Sequence, residues 1–93
     1  MTQALEALEL ANRTRRERAE VKRLIRCGEL TVTDVLADPP SSCRRMSILE
    51  LLRAQHLWGP KRCRRLLREV QISEIRRVED LTERQRNLTA GML

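Results

Sequence analysis

The sequence predicts an all-α fold, a long N-terminal helix followed by a compact four-helix unit, and three observations predict it. Trp58 is the sole aromatic in 93 residues. The core must therefore come from Leu, Ile, Val, Met and Ala, which suit helices better than sheets built on aromatic and β-branched residues. Apolar residues recur at three- and four-residue steps, as in Cys63, Leu66, Leu67 and Val70, the period of one helix face. Helix punctuation is dense: Gly28 closes a basic run, Pro60 follows Gly59, and Ser47-x-x-Glu50 and Thr82-x-x-Gln85 are capping-box patterns.

The elements follow in order. ALEALELAN favours helix, yet Leu5, Leu8 and Leu10 define no wide apolar face. RTRRERAEVKRLIR continues it with seven basic residues and two acids, and its apolar contacts gather at Val21, Leu24 and Ile25. Residues 1–28 are thus expected to form one long basic helix, frayed at its start without a partner because short unsupported helices are marginal. Residues 29–93 are expected to form the compact domain. Within it, Thr31 or Thr33 caps a short helix ending near Asp38, and Pro39-Pro40 enforces a break. Ser41 to Arg45 reads as a loop. Ser47 opens a third helix running to His56 and burying Ile48, Leu49, Leu51 and Leu52. Pro60 opens a fourth, to Val70, and Thr82 a fifth, to Ala90; ISEIRRVEDL between them reads as a loop.

Composition narrows the chemistry. Lys and Arg number 19 against 13 Asp and Glu, a net charge of +6, and only Lys22 and Lys61 are lysines. Arginine makes planar, forked contacts to phosphate, so the leading partner is a polyanion. Cys27, Cys43 and Cys63 are an odd set without a C-x-x-C pair, and His56 is the only histidine, so neither a disulfide framework nor a zinc site is expected. Cys27 and Cys63 read as small apolar residues within helices. No apolar run approaches a membrane span, and MTQALEALEL lacks the marks of a signal peptide; a reducing, cytoplasmic location follows. There is no paired-carboxylate cleft, no nucleophile beside a histidine and no G-x-x-x-x-G-K loop. An enzyme is the least expected class, and no cofactor or metal is implied.

The most informative stretch is QHLWGPKRCRRLL, residues 55–67. A helix starting at Pro60 offers unpaired N–H groups and the positive end of its dipole, a site for an anion. Lys61 and Arg62 sit in its first turn, where cations repel the dipole unless an anion lies between. The hairpin resembles the helix-hairpin-helix and helix-two-turn-helix elements that grip nucleic-acid backbones. Leu57, Gly59 and Cys63 stand as the apolar residue, the glycine and the small residue that lets the helices close. The Pro-Gly pair usual before the apolar residue is absent, Gln55 and His56 standing there.

From Ala19 to Leu88, about three-quarters of the chain, the sequence resembles the actinobacterial-type integration host factors. RAEVKRLIRCGELTVTDVL, MSILELL, WGPKRCRRLL and ISEIRRVEDLTERQR carry the resemblance. It implies a nucleoid-associated, monomeric protein with a helix-two-turn-helix that binds duplex DNA with little sequence preference. It also implies bending or compaction of that DNA and a part in site-specific recombination, with a recombinase or topoisomerase as a further partner. Transferred residue by residue, it makes Gly59, Lys61 and Arg62 phosphate contacts and Arg76 with Arg77 a second DNA contact. Glu79 stands where the family usually has another arginine, with Asp80 beside it, and the sequence ends at GML where such proteins commonly carry a basic tail.

Combined with the charge pattern, Arg65 joins the hairpin clamp, Arg76 and Arg77 reach into a minor groove, and Arg13, Arg15, Arg16 and Arg23 lie along another stretch of backbone. One tryptophan provides no stacking platform for single strands, which favours a duplex. Each site has a plainer alternative. Arg76 and Arg77 pair with Glu74, Glu79 or Asp80; the first-helix arginines pair with Glu17 and Glu20; Trp58 anchors the core; His56 is an exposed helix end. An RNA-associated protein and a phage or plasmid protein-interaction adaptor are the rival functions.

Overall fold

A computed structural model describes residues 2–93. Five α-helices, α1 (Gln3–Arg26), α2 (Val32–Ala37), α3 (Ile48–Arg53), α4 (Pro60–Glu69) and α5 (Glu83–Gly91), are joined by turns. Two of those turns contain short 3-10 segments, Ser41–Cys43 and Val78–Asp80. The molecule measures 48 × 27 × 23 Å, its length set by α1, which at ~1.5 Å per residue is itself ~36 Å long.

Local chemistry fixes most helix ends. The Thr2 hydroxyl accepts from the Leu5 N–H at 3.3 Å and starts α1. At its other end Gly28 takes a left-handed φ of +84°. Its N–H reaches the Ile25 carbonyl at 3.2 Å, and the Glu29 N–H reaches Leu24 at 3.0 Å, a Schellman closure that suits glycine. The same closure ends α4, where Gln71 and Ile72 donate to Arg68 and Leu67. There the left-handed residue is Gln71, at φ +58°. Thr31–Asp34 and Thr82–Gln85 form complete capping boxes. The box expected at α3 is half made. Ser47 Oγ accepts from the Glu50 N–H at 3.2 Å, but the Glu50 carboxylate turns away and takes a hydrogen bond from Lys22 Nζ of α1.

The core gathers Ile25 of α1, Val32, Val35 and Leu36 of α2, Ile48, Leu51 and Leu52 of α3, and Cys63, Leu66 and Leu67 of α4. Cys43, Met46, Ile72, Val78 and Leu81 come from the connections. Only the second half of α1 meets this core, through Ile25 and the half-buried Val21. Burying Ile25 contributes about 2 kcal/mol. The half-exposed Lys22–Glu50 pair adds well under ~1 kcal/mol, so packing anchors α1 and the ion pair sets its register. Arg18 Nε also donates to the Ser42 carbonyl. Ahead of Asn12 every described residue is exposed.

Several expectations are corrected. The third helix ends at Arg53, not His56, because the chain turns through Leu57 at φ +64°. Ser41–Arg45 is not a loose loop: Ser42 and Cys43 are buried in a 3-10 turn. Residues 72–81 form the expected loop, with a 3-10 turn at Val78–Asp80, but are held against the domain. They bury Ile72, Val78 and Leu81 and run beside residues 44–49 as a strap. Cys27 is exposed at the C-cap of α1, not apolar filling, whereas Cys63 is fully buried, and that burial pushes its thiol pKa up.

Candidate nucleic-acid interface

Two helix N-termini lie near one another in sequence and are treated differently. At α3 all three leading amides are taken. Ile48 N–H donates to the Arg76 carbonyl at 2.8 Å and Leu49 N–H to Glu74 at 3.3 Å, while Glu50 N–H goes to Ser47. The strap supplies those carbonyls. Ser47 and Arg77 face each other in an isolated antiparallel bridge, flanked by Val78 N–H to Met46 at 2.9 Å and Glu79 N–H to Arg44 at 2.9 Å.

At α4 the N-cap is Gly59, which has no side chain to cap with. Pro60 occupies the first turn and has no N–H, and Cys63 is the first amide bonded back, to Gly59 at 3.2 Å. The amides of Lys61 and Arg62 have no acceptor among the described residues, at the positive end of a ten-residue helix without an acid in its first turn. Gly59 itself is not a left-handed residue. Its φ is −74°, and a Cβ placed there would meet nothing within 4 Å. The tight turn is made by Leu57, at φ +64°, and what glycine leaves at this corner is open space for a molecule to approach.

The apolar roles in the hairpin also move by one residue. Leu57 is 80% exposed, while Trp58 packs against the core. Cys63 keeps its closing role, fully buried with its thiol donating to the Trp58 carbonyl at 3.8 Å. The Arg62 guanidinium lies 3.9 Å from the Trp58 ring centroid. This cation–π contact ties Arg62 to the Trp58 ring beside the start of α4.

Behind that corner, Lys61, Arg64, Arg65 and Arg68 line one side of a groove whose other side is Ile72 and Glu74. Arg64 Nε donates to Glu74 Oε2 at 2.9 Å, which neutralises the only acid in the groove. On the opposite side of the hairpin turn a second groove, of about 650 Å³, runs between α1 and residues 53–59. Its lining includes Lys22, Arg23, Arg26, Arg53, His56 and Trp58 and no acid. It brings Arg23 and Gly59 to one surface. Arg26, Arg53, Arg64 and Arg68 were given no contact role from sequence; the available signal was their place on the polar side of helices whose apolar side was legible.

The remaining expected residues separate. Arg76 Nε and Nη2 both donate to the Asp80 carbonyl, at 3.1 and 2.7 Å. It therefore braces the 3-10 turn through a backbone oxygen rather than pairing with a carboxylate. Arg77, its neighbour, is exposed and has no side-chain partner among the described residues. Glu79 and Asp80 are exposed beside it. On α1, Arg23 holds Glu20 through two bonds of 3.0 and 2.7 Å. That hydrogen bonding keeps the Glu20 carboxyl below the usual range and the guanidinium firmly protonated. Arg15 reaches only Asn12, at 3.3 Å, and Arg13 and Arg16 are exposed. Among the described residues no three His, Cys, Asp or Glu side chains gather as a metal site, and no helix is long and apolar enough to cross a membrane.

No protein-family model matches the chain. The integration host factor of Mycobacterium tuberculosis is 35% identical over 82 residues, 86% of this chain and 78% of that protein. The solved structure of sIHF bound to an 8-bp palindromic DNA superposes with a TM-score of 0.84 at 28% identity, covering 90% of this chain and 97% of that one. Shared sequence over most of both lengths and a shared fold lead to one placement: the chain belongs to the actinobacterial-type integration host factor family.

Proposed function

We propose that the protein is a nucleoid-associated, duplex DNA-binding protein that grips the sugar-phosphate backbone with little regard for sequence. The observation that carries this reading is the contrast between helix starts: α3 is sealed internally, and α4 is left open under a cluster of cations. A phosphate seated at α4 would take the Lys61 and Arg62 amides, with the Lys61 ammonium and the edge of the Arg62 guanidinium around it. Gly59 lets the backbone come close. Arg65 and Arg68 extend the contact along the helix. Arg77 reaches toward a groove from the strap, with Arg76 fixing the strap's shape. Arg13, Arg15, Arg16 and Arg23 form a further line of charge on α1. The sIHF structure, of a relative in complex with DNA, supports the same partner. Contacts from several faces favour bending or compacting of the duplex, since bending brings more phosphates within reach. That in turn fits an architectural, non-enzymatic part in site-specific recombination beside a recombinase or topoisomerase.

Fluorescence anisotropy with a labelled duplex at several salt concentrations tests this. The logarithm of the affinity should fall linearly with that of salt, with a slope of roughly −0.9 per phosphate neutralised. Duplex RNA of the same length should compete less well. Equal competition would favour the RNA reading, and no binding at low salt would favour a protein partner.

A further inference from the structure

We infer that Ile75 is an apolar wedge that enters the stack of a bound duplex and bends it; this rests on the DNA-binding reading above. Ile75 is 78% exposed, and it is not on a slack loop. The residues beside it are fixed: the Glu74 and Arg76 carbonyls accept from α3 amides, and the Arg76 N–H donates to Ser73 at 3.1 Å. A stiff β-branched side chain is thus held out from a rigid support, where a buried or a polar residue would be expected.

Its surroundings are those of a residue that meets nucleic acid. Arg76 and Arg77 follow it directly. On its other side Glu74 is neutralised by Arg64, so no free carboxylate stands between Ile75 and the basic groove formed by Lys61, Arg64, Arg65 and Arg68. Ile72 and Glu74 of the strap line that groove, and Ile75 and Arg77, both exposed, follow them directly along the chain. Side chains such as Ile and Leu that insert beside arginines in a minor groove part a base step and kink the helix by ~20–90°. Leu57, the other strongly exposed aliphatic side chain near the site, lies instead against the groove on the α1 side of the hairpin, away from the strap.

The test uses the full chain and duplexes carrying 2-aminopurine at successive positions, with a donor–acceptor pair at the duplex ends. Wild-type protein should raise 2-aminopurine fluorescence at one step and shorten the end-to-end distance. Ile75→Ala should abolish both while leaving the salt slope of binding unchanged, since no phosphate contact is lost. Ile75→Met, which keeps the apolar bulk, should retain both. If Ile75→Ala unstacks and bends a bound duplex as the wild type does, the wedge is overturned and backbone binding stands. If the wild type binds no duplex at any salt concentration, the DNA reading falls and the wedge with it.

Discussion

The N-termini of α3 and α4 are the two ends of one comparison. Both helices follow a turn, and both bury their apolar side in the same core. At α3 a serine and two strap carbonyls satisfy every leading amide; at α4 a glycine and a proline satisfy none. Cations at a helix start cost about 0.3–1 kcal/mol against the dipole. A fold that already places a capping serine at Ser47 and capping threonines at Thr31 and Thr82 has the means to close Gly59 in the same way. The difference teaches where the protein keeps its recognition chemistry: in the amides that it does not use itself.

The sharpest way to break the comparison is to close α4. Gly59→Asp fits sterically and would put a carboxylate on the open amides. Stability should rise by a few tenths of a kcal/mol, while duplex affinity falls by about tenfold or more through loss of the anion site. Thermal melting and anisotropy read the two effects separately, and binding that survives the added cap would refute the α4 assignment. Next in size is the arginine pair. Arg77→Ala should weaken binding about fivefold, ~1 kcal/mol for one phosphate contact, with an unchanged melting temperature. Arg76→Ala should instead lower stability by about 1 kcal/mol, because the carbonyl of Asp80 loses its donor; the double variant should combine the two effects, about fivefold in affinity and about 1 kcal/mol in stability. Opening α3 is the converse test: Ser47→Ala should cost about 1 kcal/mol of stability and leave the affinity of the folded protein as it was. The smallest effect expected is from Glu79→Arg, which replaces an exposed acid beside Arg77. It should tighten binding about two- to threefold and steepen the salt slope by about one phosphate, both read in the same titration.

What was legible in the sequence was local. Gly28, Pro60 and the threonine caps act within three or four residues of themselves, so their patterns need no knowledge of the rest of the fold. The apolar face of α4 was legible for the same reason. The strap was not, because its pairing with residues 44–49 joins segments about thirty residues apart through backbone atoms, which leave no side-chain period to read. Glu50 shows the same limit. Its spacing from Ser47 matches a capping box, yet Lys22, 28 residues away, takes the carboxylate. Leu57 and Trp58 are adjacent and both apolar, and only the left-handed turn at Leu57 decides which of them faces inward. Arg76 and Arg77 look alike in sequence, and the direction of each along the strap separates a brace from a free cation.

The charge reversal along α1 has its own consequence. Before Arg13 the helix carries Glu6 and Glu9 and no cation; from Arg13 onward it is strongly basic. Laid on a polyanion, such a rod has a preferred heading: its shaft is drawn down and its acidic tip is pushed away. The footprint of α1 would then stop near Arg13, with its acidic first turns raised from the duplex.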